Sequence, residues 1–278
     1  MDLIIICDIN QNQIINMDNV YGSREWATSN VNFITGCSND CLYCYSKALA
    51  INYGRKTSEN WHVEEVREKD LIKNRKKIDG RIMFPSSHDI TLQNLNNSIE
   101  LLKKLLKVGN QVLIVSKPHF ECIKEICLES ENYKSNILFR FSIGSADNNI
   151  LKLWEPGAPS FEERLECLKY SYEHGFATSV SCEPMLDNNI GAVIDAALPF
   201  ITDSLWLGKI NNLSRNLILN DIDDVNVLKQ ADKLLAWQCE EEIKALYDKY
   251  KDVEKIKWKS SIKTIMGIPL SAKVGADI

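Results

Sequence analysis

Three cysteines lie within eight residues of this 278-residue chain, and no other feature of the sequence restricts its chemistry as strongly. They are Cys37, Cys41 and Cys44, in a segment that reads GCSNDCLYCY over residues 36–45. Thiolates spaced C-x3-C-x2-C on one short loop can each bind a separate iron of a cubane [4Fe–4S] cluster. The fourth iron then has no ligand from this loop and is open to a small molecule, as an open zinc position takes water.

Two other interpretations of these cysteines remain open. The spacing i, i+4, i+7 also matches three buried thiols on one face of a helix, although Gly36 and the Ser-Asn-Asp run after Cys37 favour a turn. A structural zinc site needs four ligands, and no cysteine or histidine follows at finger-like spacing, since the nearest downstream histidine is His62. The other six of the nine cysteines are scattered, which is typical of small core residues.

Composition restricts the class of protein. The net charge of −5, from 33 basic and 38 acidic side chains, argues against a broad nucleic-acid surface but not against a local basic groove. No apolar run approaches the roughly 18 residues of a membrane span. Residues 1–7 lack the features of a signal peptide and are predicted to form a first strand, so we expect a cytoplasmic protein with free thiols.

Strand-like and helix-like segments alternate after about residue 80, which predicts an α/β fold with a parallel sheet and helices outside. An initial strand is expected at residues 32–35 and one more within residues 255–265. The other predicted strands are 81–84, 111–115, 137–143, 177–182 and 204–210. About six β–α units predict an incomplete (β/α)6 barrel, a partial TIM barrel with its chemistry at the carboxyl ends of the strands. We expect a core at residues 1–215 and a C-terminal helix and strand, 216–278, that complete or cover it.

The cysteine loop resembles the signature of the radical S-adenosylmethionine (SAM) superfamily, including Tyr43 just before the last cysteine. This resemblance implies that Cys37, Cys41 and Cys44 hold a [4Fe–4S] cluster and that SAM chelates the open iron. One electron, from a donor such as a flavodoxin or ferredoxin, would then cleave SAM to methionine and a 5′-deoxyadenosyl radical that abstracts hydrogen from the substrate. The implied activity is that of a lyase- or transferase-type enzyme.

Further motifs narrow the resemblance. The segment WEPGAPS at residues 154–160 and the segment VSKP at 115–118 resemble the spore photoproduct lyase-like branch. The segments SCEPML at 181–186 and WLG at 206–208 are also similar to a phage-associated radical SAM group of unassigned function. The first likeness implies a nucleic-acid or nucleotide-like substrate. The alternatives are a peptide or small-metabolite substrate, or a zinc-binding interaction protein without enzymatic activity.

One departure puts the lyase's own repair chemistry in doubt. That enzyme carries a hydrogen-donating cysteine near the end of its second strand, where this chain reads Met-Phe-Pro-Ser at residues 83–86. Cys182 lies on another strand and is expected to be a core thiol rather than a donor.

The resemblance also assigns SAM contacts. Ser86 would lie near the methionine moiety, Lys117 would pair with the SAM carboxylate, Ser142 would touch the ribose or carboxylate, and Tyr43 would pack near the adenine. The two serines could equally be turn or cap residues. Lys117 could equally be a solvated loop residue, and Tyr43 could belong to ordinary packing.

Polar residues at the other strand ends are candidates for catalysis or substrate binding. His88, Asp89 and Glu183 are predicted as acid/base or substrate-binding residues, because titratable groups at this edge of a barrel are often functional. Lys209 and Asn211 are expected to reach the substrate, whereas Glu155 and Arg164 are expected to form a structural ion pair. Residues 212–226, rich in Asn and Asp, are predicted to form a loop over the site.

Overall fold

The computed structural model describes residues 19–276, and the strand predicted at residues 1–7 lies outside them. The strands of the described residues are β1 (Ser29–Asn30), β2 (Ile34–Thr35), β3 (Glu65–Val66), β4 (Arg81–Phe84), β5 (Gln111–Ser116), β6 (Ile137–Ser142), β7 (Ala177–Cys182), β8 (Leu205–Leu207) and β9 (Ile256–Trp258). Seven of them form one sheet in the order β1-β4-β5-β6-β7-β8-β9, in which all neighbouring strands run parallel, and β2 and β3 form a separate antiparallel pair.

Helices connect the parallel strands. They are α1 (Tyr45–Asn52), α2 (Glu68–Ile72), α3 (Leu95–Lys107), α4 (Phe120–Glu129), α5 (Asn148–Trp154), α6 (Phe161–Glu173), α7 (Ile190–Ala197), α8 (Leu213–Leu219), α9 (Val225–Trp237), α10 (Glu240–Tyr250) and α11 (Ser260–Ile265). Helix α3 shows why such segments fold as they do, because it buries Leu101, Leu102 and Leu105 on one face and exposes polar residues on the other. Ser160 caps the N-terminus of helix α6, and its hydroxyl accepts a hydrogen bond from the Glu163 amide at 3.3 Å.

The central strands are buried on both faces, as in a covered parallel sheet. In β5, for example, the side chains of Val112, Leu113 and Ile114 are all buried. The predicted α/β fold is therefore confirmed as a partial barrel whose sheet, over residues 19–276, stays open between the edge strands β1 and β9. The strand expected within residues 255–265 is present as β9 and brings the sheet to seven strands.

The initial strand of the sheet precedes Gly36 as predicted but lies earlier than residues 32–35. The sheet begins with β1, where Ser29 pairs with Ile82, whereas Ile34 pairs antiparallel with Val66 outside the sheet. The cause lies at Gly36, whose φ is +99° and which approaches residues 61–63 so closely that a Cβ atom would lie 2.2 Å from the Val63 carbonyl oxygen. The chain just before the first cysteine is thereby held against residues 61–66 instead of in the sheet.

The topology brings the carboxyl ends of β4 to β8 to one edge of the sheet, where loops from consecutive units meet. The predicted division after residue 215 falls within α8 and stays a prediction. Within residues 19–276, no helix is both long enough and apolar enough to cross a membrane.

Candidate active site

A cavity of about 630 Å³ opens at the carboxyl ends of the strands. The three cysteines of residues 36–45, hereafter the cluster loop, form part of its wall. The other residues predicted for the site also line it: Tyr43, Ser86, His88, Asp89, Lys117, Ser142, Glu183, Lys209 and Asn211. Residues separated by more than 170 positions in the chain therefore meet at one site.

The cluster loop is a series of turns and not a helix. The Cys37 carbonyl accepts a hydrogen bond from the Asp40 amide at 3.2 Å, and the Cys41 carbonyl accepts one from the Cys44 amide at 3.1 Å. Asp40 has a φ of +43°, which a helix does not allow. Helix α1 begins only after Cys44, whose Sγ accepts a hydrogen bond from the Lys47 amide at 3.4 Å. The interpretation of the cysteines as one face of a helix is therefore wrong.

The WEPGAPS segment supports the cluster loop from beneath. The Gly157 amide donates to the Asn39 carbonyl at 3.0 Å, and the Leu42 amide donates to the Trp154 carbonyl at 2.9 Å. A Cβ atom on Gly157 would lie 2.1 Å from the Ser38 carbonyl oxygen, so only glycine allows this contact. The WEPGAPS motif thus has a local physical role, which is to hold the cluster loop in place by backbone hydrogen bonds and close packing.

The residues of the loop fit a cubane cluster better than a zinc ion. Within residues 19–276, no three His, Cys, Asp or Glu side chains converge on a point where they could hold one metal ion. Zinc requires such convergence, whereas a cluster distributes its thiolates over different irons. Burial raises the pKa of Cys41 to about 12 and also raises the pKa of Cys37 and Cys44, so ligand binding must displace thiol protons.

A buried amide beside the cysteines has an unsatisfied acceptor. Asn39 is 1% exposed, and its Nδ2 donates to Asp89 Oδ2 at 2.8 Å. Its Oδ1 has no hydrogen-bond partner among the described residues, although Asn39 lines the cavity. Because a buried acceptor without a donor is costly, this atom fits a cavity that holds a bound group with an N–H or O–H.

Glu155 joins three side chains behind the cluster loop. Its Oε2 lies 2.6 Å from a guanidinium nitrogen of Arg164, an ion contact rather than a well-aligned hydrogen bond, and both side chains are buried. The predicted ion pair is therefore confirmed. Glu155 Oε1 accepts a hydrogen bond from the Tyr43 hydroxyl and lies 3.8 Å from Lys117 Nζ. Burial alone would raise the pKa of Glu155, but Arg164 and Lys117 lower it, so the group is a carboxylate.

Lys117 is held as an ammonium at the end of β5. Its Nζ lies 5.8 Å from the centroid of the Tyr43 ring. Burial alone would lower the pKa of Lys117, but Cys41, Tyr43 and the carboxylates of Glu155 and Asp89 raise it well above its ordinary value. The structure therefore places at this point a fixed, partly exposed cation rather than a solvated loop lysine.

Asp89 and His88 are occupied by backbone and side-chain contacts. The carboxylate of Asp89 accepts hydrogen bonds from the amides of Lys117 and Ile90, both at 2.8 Å, and from the Ser116 hydroxyl. His88 Nδ1 lies 3.0 Å from the Asp89 carbonyl oxygen, so it carries the proton, and Nε2 accepts from the Phe33 amide at 3.4 Å. Burial lowers the pKa of His88 to about 4, so the ring is neutral. These contacts favour positioning of the strand ends, and the acid/base roles stay predictions.

Ser86 lies where β4 enters the cavity. Its hydroxyl accepts a hydrogen bond from Asn32 Nδ2 at 2.9 Å, and its amide donates to Asn32 Oδ1 at 2.7 Å. The Ser86 carbonyl accepts a hydrogen bond from the Tyr45 hydroxyl. Ser142, at the end of β6, accepts from Arg164 through its carbonyl at 3.1 Å. Both serines are thus fixed by their backbones at the cavity wall.

Glu183, at the end of β7, belongs to a network that sequence reasoning missed. Its Oε2 lies 3.2 Å from Lys259 Nζ, and Lys259 also lies 2.9 Å from Glu25 Oε1. Lys259 follows β9 and is fully buried, with its Nζ 3.8 Å from the ring centroid of Trp26. No local motif marks Glu25 or Lys259, because they meet through the sheet and not along the chain.

The predicted loop over residues 212–226 is largely helical, and within it only Asn212 and residues 220–224 lie outside α8 and α9. Residues 213–219 form α8, which packs on the cluster loop. Asn216 Nδ2 donates to the Tyr43 carbonyl at 3.1 Å, and Asn220 Nδ2 donates to the carbonyls of Leu42 and Cys44 at 2.8 and 3.2 Å. The asparagines that suggested a loop by composition are instead donors to the loop carbonyls.

Comparison with known proteins agrees with this geometry. The model of the radical SAM superfamily matches residues 31–191. An uncharacterized protein of Methanocaldococcus jannaschii is 28% identical over 179 residues, which cover 61% of this chain and 66% of that protein. An uncharacterized protein of Acidianus two-tailed virus is 27% identical over 179 residues, which cover 60% of this chain and 58% of that protein. The matches thus span less than two thirds of either relative.

Solved structures share the fold. A tyrosine-to-phenylalanine mutant of spore photoproduct lyase has a TM-score of 0.54 at 13% identity, covering 82% of this chain and 75% of that chain. A cysteine-to-alanine mutant of the same enzyme with dinucleoside spore photoproduct has a TM-score of 0.51 at 13% identity and the same coverage. SuiB of Streptococcus suis bound to S-adenosylmethionine has a TM-score of 0.52 at 12% identity, covering 89% of this chain and 54% of that chain.

Proposed function

Since the chain belongs to the radical SAM superfamily, we propose that it abstracts a hydrogen atom from a substrate that contains a nucleobase. In this superfamily a [4Fe–4S] cluster and SAM supply the 5′-deoxyadenosyl radical that performs the abstraction. The protein's own contribution is to bind, orient and shield the reactants.

We assign the three cysteines of the cluster loop as the cluster ligands and Lys117 as the partner of the SAM carboxylate. Lys117 suits this task because its ammonium is held in place by Glu155 and keeps part of its surface exposed to the cavity. Tyr43 is fixed by the same carboxylate and would pack near the adenine. Ser86 and Ser142 would offer further polar contacts from the ends of β4 and β6.

The composition of the cavity mouth is the observation that carries the choice of substrate. Tyr21 and Tyr45 line the cavity and are 38% and 54% exposed, and Arg24, which is also exposed, lines the same cavity. Exposed aromatic rings next to a cation form the usual platform for an unpaired base and its phosphate. The net charge of −5 argues against a long duplex and favours a nucleotide or a single strand. A neighbour with the same fold holds a dinucleoside photoproduct.

The repair reaction of the lyase is not part of this proposal. Among residues 19–276, the cysteines that line the cavity are the three of the cluster loop. Cys182 is fully buried, and burial raises the pKa of its thiol, so it is a core residue as expected. A thiol that returns hydrogen to a product radical is therefore absent from the described part of the cavity wall.

Anaerobic reconstitution with iron and sulfide, followed by reduction and addition of SAM, tests the chemistry. We expect 5′-deoxyadenosine from the wild type and none from Cys41→Ala, with Cys239→Ala, an exposed cysteine away from the loop, as the matched control. Deuterated oligonucleotides or nucleotides should then transfer deuterium to 5′-deoxyadenosine. Transfer from peptides but not from any nucleotide would overturn the choice of substrate and leave the radical chemistry in place.

A further inference from the structure

A fully buried lysine holds two carboxylates together at the wall of the cavity. Lys259 Nζ lies 2.9 Å from Glu25 Oε1 and 3.2 Å from Glu183 Oε2, and it donates to the Gly22 carbonyl at 3.0 Å. The Trp26 ring closes one side, with its centroid 3.8 Å from the ammonium. An ammonium with this many fixed partners cannot turn away from either carboxylate.

The two carboxylates differ in what else they contact. Glu25 also accepts hydrogen bonds from the Ser260 amide at 3.2 Å and from the Ser260 hydroxyl at 3.1 Å, and it is buried. Glu183 keeps 19% of its side chain exposed and lines the cavity. Glu25 is therefore buried in the protein interior, whereas the carboxylate of Glu183 is accessible to a ligand in the cavity.

The backbone is shaped to admit this pair. A Cβ atom on Gly208 would lie 2.9 Å from the Cγ atoms of both Glu183 and Lys259. Gly208 directly follows β8, and its amide donates to the Cys182 carbonyl at 3.1 Å. This hydrogen bond joins the ends of β7 and β8 next to Glu183 and Lys259. The glycine of the WLG motif thus makes room for the carboxylate and the ammonium rather than for a turn.

A carboxylate fixed in this way accepts hydrogen bonds and cannot donate them while ionised. Its two oxygens offer about four acceptor positions, of which Lys259 takes one, so it can still receive two parallel N–H groups. Tyr45 lines the same cavity, its hydroxyl is held by the Ser86 carbonyl, and the residue is 54% exposed, so its ring can stack on a flat group. A flat ring with two adjacent N–H donors on one edge satisfies both features.

Resting on the proposed nucleobase substrate, we propose that Glu183 is the specificity residue of the cavity and accepts the paired N–H donors of a guanine-like edge. Lys259 and Glu25 are its positioning residues. Adenine offers one donor and one acceptor on the same edge, so its ring nitrogen would face the carboxylate without a proton. Hypoxanthine keeps the ring N–H but lacks the amino group and should be intermediate.

Binding of 5′-GMP, 5′-IMP and 5′-AMP to the reconstituted enzyme, with SAM present, tests this assignment. We expect the order GMP, then IMP, then AMP, and we expect Glu183→Gln to reduce the GMP-over-AMP ratio by roughly tenfold, as for the loss of one bidentate base contact. Glu173→Gln, an exposed carboxylate on α6, should keep the wild-type ratio. The ratio is decisive because a general structural defect lowers the affinity for all three nucleotides alike.

Glu183→Asp provides a second variant if the glutamine variant does not fold. It retains the charge beside Lys259 but withdraws the acceptor by one methylene, so the GMP-over-AMP ratio should again fall. Equal binding of the three nucleotides by the wild type, or an unchanged GMP-over-AMP ratio in both variants, overturns the role of Glu183 and leaves the proposed function standing. No binding of any nucleotide by an enzyme that cleaves SAM overturns the nucleobase substrate and this assignment together.

Discussion

Replacing Glu155 by glutamine should destabilise the protein more than any surface change, because it leaves a buried cation without its carboxylate. The Arg164 guanidinium is fully buried and lies 2.6 Å from Glu155. Breaking a buried pair from one side typically costs about 3–5 kcal/mol. Arg164 keeps two carbonyl partners, Pro159 at 2.9 Å and Ser142 at 3.1 Å, so we expect the lower end, about 3 kcal/mol.

Urea unfolding of the cofactor-free protein, followed by circular dichroism, measures this effect. The midpoint should fall while the slope with denaturant stays constant, because the surface exposed on unfolding does not change. Glu240→Gln serves as the matched control: Glu240 pairs with Lys244 at 2.5 Å on the exposed side of α10, and its loss should leave the midpoint unchanged.

The refuting result is a free-energy loss for Glu155→Gln below about 1 kcal/mol, the range of an exposed pair. It would mean that Arg164 is satisfied by the two carbonyls alone. The double variant Glu155→Gln with Arg164→Met provides a second check. Because it removes both charges, it should be more stable than the single glutamine variant.

Three further outcomes are expected. Gly157→Ala should displace the cluster loop, since the new methyl group would lie 2.1 Å from the Ser38 carbonyl oxygen, and reconstitution should yield less iron per chain. The pKa of His88 is about 4 in the folded protein and 6.5 ordinarily. Between pH 6.5 and pH 4 the side chain therefore takes up a proton when the protein unfolds, and the free energy of unfolding falls as the pH drops. About 2 kcal/mol should be lost from pH 7 to pH 5, and urea midpoints of His88→Gln should lack that loss. Asn220→Ala removes the donor to two carbonyls of the cluster loop and should cost about 1–3 kcal/mol in urea unfolding; an unchanged midpoint would contradict the bracing role.

Local sequence patterns were sufficient to identify the centre of this site. The cysteine spacing is a property of one loop, and the strand ends were found because apolar runs and the residues after them are adjacent in sequence. A parallel sheet then brings those ends to one edge, which is why Lys117, Ser142 and Glu183 share a cavity. The α/β architecture follows from these patterns, whereas the cofactor class came from the resemblance of the cysteine loop to the radical SAM signature.

Tertiary contacts decided what the sequence could not reveal. Residues 32–35 have the composition of a strand, but the close approach at Gly36 holds them outside the sheet. The polar composition of 212–226 suggested a loop, yet α8 forms because its asparagines find acceptors on a distant loop. Glu25 and Lys259 are 234 positions apart in the sequence, and no motif around either residue indicates their ion pair.

The contact between α8 and the cluster loop forms only after α8 has been synthesised. The three cysteines leave the ribosome early, whereas Asn216 and Asn220 lie 173 and 178 residues beyond the carbonyls of Tyr43 and Leu42 that they bind. At about 5–20 residues per second, that interval lasts roughly ten to forty seconds. A cluster inserted into the nascent chain would meet ligands whose loop still lacks its donors. The donors that brace the cluster loop are therefore added only when α8 has been synthesised, well after the three cysteines.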